Sequence, residues 1–207
     1  MRQLTLVLVM CALSGCGLLP SKAPPKTEFD FGPEPNAPAD SAPLSQVQLM
    51  VYDVGAPTWM DGTAMYYRLA YRNAAVPLPY ADSEWVMSPP ALLTARLRSS
   101  IAVRPDGEAR PVGVHTAAVY TLRSELLEFE QIFDAPDRSH AILRLRVTLE
   151  GEGMWTQHTF TIDRPAPTPN AAGGVTALTE CSDELVRRLG EWVSASHSGL
   201  PPSAKRD

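Results

Sequence analysis

Strict alternation of apolar and polar positions dominates the second half of the chain. From Ile142 to Leu149, Leu143, Leu145, Val147 and Leu149 fall on one face and Ile142, Arg144, Arg146 and Thr148 on the other, the period of a half-buried strand. Asp134-Ala135-Pro136-Asp137 precedes this run and reads as the turn of a hairpin. Between Val114 and Phe133 the pattern supports two readings: Leu122, Leu126, Phe129 and Phe133 have helical spacing, while Leu127, Phe129, Gln131 and Phe133 alternate with charged residues. We assign strand there. After Gly151 and Gly153, Trp155 to Ile162 supplies a last strand that closes at Pro165. Upstream, Val47 to Asp53 and Ala64 to Tyr71 alternate in the same way, the latter with Met65, Tyr67, Leu69 and Tyr71 on one face, and a short strand is expected around Leu78 to Ala81. Thr27 to Phe31 suits a short edge strand.

Two segments change period. Ser88-Pro89 is a good helix start, with Leu92, Leu93, Leu97 and Ile101 as the apolar face, Arg96 and Arg98 on a solvated face, and Pro105-Asp106-Gly107 as the stop. Val175, Leu178, Cys181, Leu185, Leu189 and Trp192 then recur at three- and four-residue spacing after Thr168-Pro169-Asn170, which describes an amphipathic helix ended by Gly199 and two prolines. The resulting fold class is α/β, a two-layer sandwich of a mixed β-sheet with two main helices packed on it.

The N-terminus carries a different signal. Arg2 precedes an apolar run from Leu4 to Leu13, which is a secretory signal too short to span a bilayer. Leu13-Ser14-Gly15-Cys16 resembles a bacterial lipobox, so residues 1–15 are read as a lipoprotein signal peptide and Cys16 as the lipidation site. Gly17 follows in place of the Asp that usually marks inner-membrane retention, which favours the outer membrane. Residues 16–44 form the lipidated cysteine and a stiff tether with seven prolines, 45–197 the α/β domain and 198–207 a flexible tail. Extended at about 3.1 Å per residue, the tether would reach roughly 85 Å.

Composition narrows the function. Of 207 residues, 18 are Lys or Arg and 23 Asp or Glu, so the formal charge of -5 disfavours nucleic acid as a partner. Once Cys11 leaves with the signal and Cys16 is modified, Cys181 is the remaining thiol, placed on the apolar stripe of the last helix as a small buried hydrophobe. The histidines at 115, 140, 158 and 197 sit in separate elements without HExxH, CxxC, GxSxG, Walker A or GxGxxG patterns, so no catalytic residue, metal ligand or cofactor is assigned. Trp59 and Trp85, beside prolines and outside the expected elements, are each a core plug or a contact residue; with Tyr80 they are the candidate partner contacts.

The runs Ala56 to Gly62, Met65 to Tyr71, Tyr80 to Trp85, Pro89 to Leu93, Leu122 to Phe133 and Ala171 to Leu178, in this order and spacing, resemble the ABC-type transport auxiliary lipoproteins. These are PqiC-like proteins that accompany MCE-domain lipid transporters, and the likeness spans roughly residues 45–195 plus the lipobox. Glu84 departs from the family pattern, in which an arginine commonly precedes the tryptophan, and the reversed charge would alter any contact made through that loop. The resemblance implies a non-catalytic lipoprotein at the periplasmic side of the outer membrane, held there by its lipid. It would dock a periplasm-spanning MCE-domain protein of an ABC lipid transporter, with a homo-oligomeric ring left open. A periplasmic lipid-binding carrier and a structural envelope lipoprotein are the competing readings.

Overall fold

A long antiparallel hairpin organises the molecule. In the computed structural model, which describes residues 25–33, 49–102, 120–151 and 153–197, strand β5 (Tyr120–Ala135) turns through Pro136 and Asp137 into β6 (Arg138–Gly151). β7 (Met154–Pro165) continues the meander. The alternation in β6 does what its period demands: Leu143, Leu145, Val147 and Leu149 are fully buried on one face. On the other face, Arg146 pairs with Glu125 at 2.8 Å, and Arg144 with Glu128, across the strand boundary.

The helical spacing within β5 has a strand explanation. Leu122, Leu126, Phe129 and Phe133 lie opposite Leu149, Leu145, Leu143 and Ser139, all on the buried face. The one three-residue step, from Leu126 to Phe129, is made by a register shift between Leu126 and Glu128. Leu127 is the extra residue of that bulge, so it does not share a face with Phe129, Gln131 and Phe133 as the alternation suggested.

The remaining strands add to β5 on its other side. β2 (Leu49–Val51) runs parallel to its first half and β3 (Ala64–Leu69) parallel to its second half. A single 3₁₀ turn at Thr58–Met60 lies between them. β3 stops at Leu69, and Ala70–Asn73 form one helical turn, α1, so Tyr71 leaves the sheet instead of extending its face. β4 (Pro77–Trp85) returns antiparallel to β3 and is longer than the four residues expected. β1 (Thr27–Phe29) pairs parallel to the end of β4. The seven strands among the described residues form one mixed sheet in the order β1-β4-β3-β5-β6-β7, with β2 also on β5. β1 thus joins the sheet ahead of residue 45.

Two helices cover the buried face. α2 (Pro89–Ala102) inserts Leu92, Leu93 and Leu97. α3 (Ala171–His197) buries Leu178, Cys181, Leu185, Leu189 and Trp192, as its spacing requires. Asn170 caps α3 by accepting the Gly173 N–H on Oδ1 at 2.9 Å. Arg98 is half-exposed and pairs with Asp53 at 2.9 Å, whereas Arg96 is not on a solvated face. Arg96 is only 7% exposed, pairs with Asp183 of α3 at 2.8 Å, and lies 5.9 Å from the Phe31 ring. A guanidinium therefore ties the two covering helices together where apolar periodicity gave no sign of burial. Residues 1–24, with Cys16 and the signal peptide, most of the expected tether, the Pro105-Asp106-Gly107 stop, His115 and the tail lie outside the described residues.

Candidate interaction surfaces

The three aromatic candidates have three different environments. Trp85 ends β4 at 2% exposure, its ring centroid 5.9 Å from Phe31 and 5.6 Å from Phe129. It is the core plug of the two alternatives, and its indole is not offered to a partner at this surface. Glu84 beside it pairs with Lys26 at 3.3 Å, so its carboxylate is engaged within the chain. Tyr80 is half-buried, its ring 4.6 Å from Tyr67, and its hydroxyl donates to Gln131 Oε1 at 2.8 Å. Gln131, at 1% exposure, donates in turn from Nε2 to Ser139 Oγ at 2.7 Å. Burial, with Tyr67 adding to it, pushes the Tyr80 phenol well above its ordinary range, so it stays a neutral donor. Trp59 is the candidate that faces solvent, 39% exposed, with its edge on Tyr66 at 5.2 Å.

Several surface features escaped the sequence reading. Trp155 is 64% exposed on the uncovered sheet face, opposite Glu150. Alternation placed it in a strand but could not say which face the helices would leave bare. Val86 and Met87 are exposed side by side after β4. The uncovered face is otherwise laddered with ion pairs, and it also holds Glu130. That carboxyl is 3% exposed and accepts from Arg68 Nε at 2.7 Å. Desolvation raises its pKa, with the Arg68 contact opposing.

No reactive constellation emerges among the described residues. His140 Nδ1 lies 3.0 Å from Asp134 and its Nε2 3.5 Å from Asp163, while His158 packs against Phe160 and Trp192. Among the described residues no group of three or more His, Cys, Asp or Glu is placed to hold a metal ion. Cys181 is fully buried, and desolvation pushes its thiol up to about 12. Among the described residues no helix is long and apolar enough to cross a membrane. One concave feature is an open groove of about 450 Å³ between β1 and the first half of α3.

No curated protein matches this chain. Among solved structures, the crystal structure of protein XCC0632 from Xanthomonas campestris, of family DUF330, is similar at a TM-score of 0.61 and 17% identity, covering 84% of this chain and 96% of that one. An uncharacterized protein is similar at a TM-score of 0.60 and 15% identity, covering 83% of this chain and all of its own 100%. At such identities the likeness establishes the fold. The family comes from the sequence itself: residues 29–190, well over half the chain, match the model described as the ABC-type transport auxiliary lipoprotein component, and the chain belongs to that family.

Proposed function

We propose that this protein is a non-catalytic lipoprotein acylated on Cys16, residing at the periplasmic side of the outer membrane, where it docks the MCE-domain protein of an ABC lipid transporter. The observation that carries the reading is the lipobox-like Leu13-Ser14-Gly15-Cys16 ahead of a domain of this transport auxiliary family. Acyl chains contribute about 0.8 kcal/mol per buried methylene, and several chains hold a domain at a bilayer far more firmly than one. Gly17 after the cysteine supports the outer membrane over the inner. Trp59 and Tyr80 remain partner-contact residues of this proposal, Trp59 by exposure. A homo-oligomeric ring would suit a tubular partner.

Two measurements test it. The intact mass of protein extracted from envelopes carries the acyl increment on Cys16, and a Cys16→Ala chain is lost from the membrane fraction. Pull-down with the full chain recovers an MCE-domain protein, with no turnover of the lipid. An unmodified sulfur refutes the anchor, and recovery without any transport component refutes docking. The carrier alternative has less support, because the groove is open and includes Thr176, Thr179 and Glu180 in its lining, where an acyl chain needs enclosed apolar walls.

A further inference from the structure

β7 is the last strand of the sheet, and its outer edge is built unlike the edge at the opposite end. Over its 12 residues it pairs with β6 without a register shift, and among the described residues no strand lies beyond it. Proteins commonly blunt such an edge with lysine, proline, a bulge or a covering segment. The opposite end of the sheet follows that pattern, because β1 has only 3 residues and β4 behind it carries Pro77 and Pro79. β7 has no lysine, reaches a proline only at its final residue, and holds a single acid and a single base, Asp163 and Arg164.

One bond fixes which backbone groups are free. Ala166 N–H donates to the Ser139 carbonyl at 2.9 Å, continuing the register that sets His140 opposite Pro165. Alternation then turns the N–H and C=O of Trp155, Gln157, Thr159, Thr161 and Asp163 away from β6. The Asp163 carbonyl agrees with this, since it accepts from the Arg164 guanidinium at 3.0 Å. The same side chains lie on the uncovered sheet face, where Trp155, at 64%, is the most exposed large apolar side chain among the described residues.

We propose that β7 is a dimer interface, which pairs antiparallel with β7 of a second copy about a twofold axis at Thr159 and so runs one sheet through both chains. Self-complementarity selects this occupant. Centred on Thr159, every free edge residue finds a partner on the same face: Thr159 meets Thr159, Gln157 meets Thr161, and Trp155 meets Asp163. The exposed indole N–H of one copy then stands beside the carboxylate of the other, which is 58% exposed, and no like charges are opposed. On the covered face His158 meets Phe160, the ring pair that already packs at 4.6 Å within one chain. Centring the axis one residue later sets Trp155 against Pro165, which has no N–H, and one residue earlier sets Asp163 against Gly153, beyond the strand. A neighbour of uniform charge gains nothing from an edge with one acid and one base. The inference rests on this edge and not on the anchor or transport partner proposed above. A twofold contact closes at two copies, so a ring would need a further surface.

The test is register-specific cross-linking of the full chain with a short bifunctional thiol reagent, with the unsubstituted chain as background. Thr159→Cys gives a covalent dimer. Gln157→Cys alone does not, because its two copies lie about 13 Å apart along the strands, but it does when mixed with a Thr161→Cys chain. Thr159→Pro, at an outward N–H that an edge strand can lose, weakens dimerisation at least tenfold in sedimentation equilibrium with its circular dichroism unchanged. Should that variant fold poorly, the cysteine pattern decides alone. Three results overturn the proposal: a monomer at every concentration, cross-linking of Gln157→Cys alone as efficient as that of Thr159→Cys, or undiminished association of folded Thr159→Pro.

Discussion

Gly174→Ala sets a local preference against a packing constraint, and the structure decides the sign. Alanine in a helix is favoured over glycine by about 1 kcal/mol, so an unobstructed α3 would gain stability. At position 174, however, an added Cβ would lie 2.1 Å from Gln131 Oε1 and 2.8 Å from its Cδ. Gln131 cannot step aside freely, because its amide accepts from Tyr80 at 2.8 Å and donates to Ser139 at 2.7 Å while the residue is 1% exposed. Displacing it loses two hydrogen bonds worth about 1 kcal/mol each and strands buried polar groups at about 1–3 kcal/mol more. Set against the helical gain, the net loss is about 2–4 kcal/mol, read by urea denaturation of the full chain. Gly62→Ala, with nothing within 4 Å of its new Cβ, serves as the neutral control. The decisive comparison uses a Gln131→Ala background, where the obstruction is gone and Gly174→Ala becomes stabilising. If it remains destabilising there, the clash is not the cause and the reasoning fails.

Arg96→Ala breaks the 2.8 Å pair with Asp183 at a site 7% exposed and costs about 3 kcal/mol, whereas Arg98→Ala, at a half-exposed pair, costs under about 1 kcal/mol in the same denaturation assay. Hydrogen bonds from Arg187, with those from Arg188, hold the Glu184 carboxyl at about 2, below its ordinary 4.5. A depressed carboxylate stabilises the fold above its unfolded pKa, so this contribution is complete above about pH 4.5 and is lost as pH falls toward about 2. Because Arg187 is half-exposed, it amounts to about 1 kcal/mol, and the stability gap between wild type and Glu184→Gln closes across that window. Cys181, fully buried with its thiol pushed up to about 12, reacts with a chromogenic disulfide reagent only as the protein unfolds; rapid labelling of the native chain would contradict its placement.

What the sequence displays is what periodicity can carry. The β6 alternation and the α3 stripe translate directly into buried faces because each has a single period and one covered side. β5 was ambiguous for a physical reason: a bulge at Leu127 adds one residue, and two strand steps of four joined by a step of three mimic a helix. Arg96 was misread because apolar periodicity assumes that charge marks solvent, whereas a long side chain can cross the layer to reach Asp183. Trp85 looked like a loop residue because β4 carries prolines at 77 and 79, which depress any strand signal although edge-facing positions tolerate them. The groove was invisible for a related reason. Its two sides, at residues 28–32 and 175–180, are far apart in the chain and meet only through the fold.

The placement of β1 also changes the mechanics of the proposed anchor. A tether ending at residue 44 could span roughly 85 Å, but Thr27 already pairs with Ser83 in the sheet, and Phe31 lies in the core against Trp85 and Phe129. Only residues 17–26 then separate Cys16 from β1, a reach of roughly 30 Å. The same segment that would carry the lipid anchor into the fold therefore forms one wall of the groove against α3.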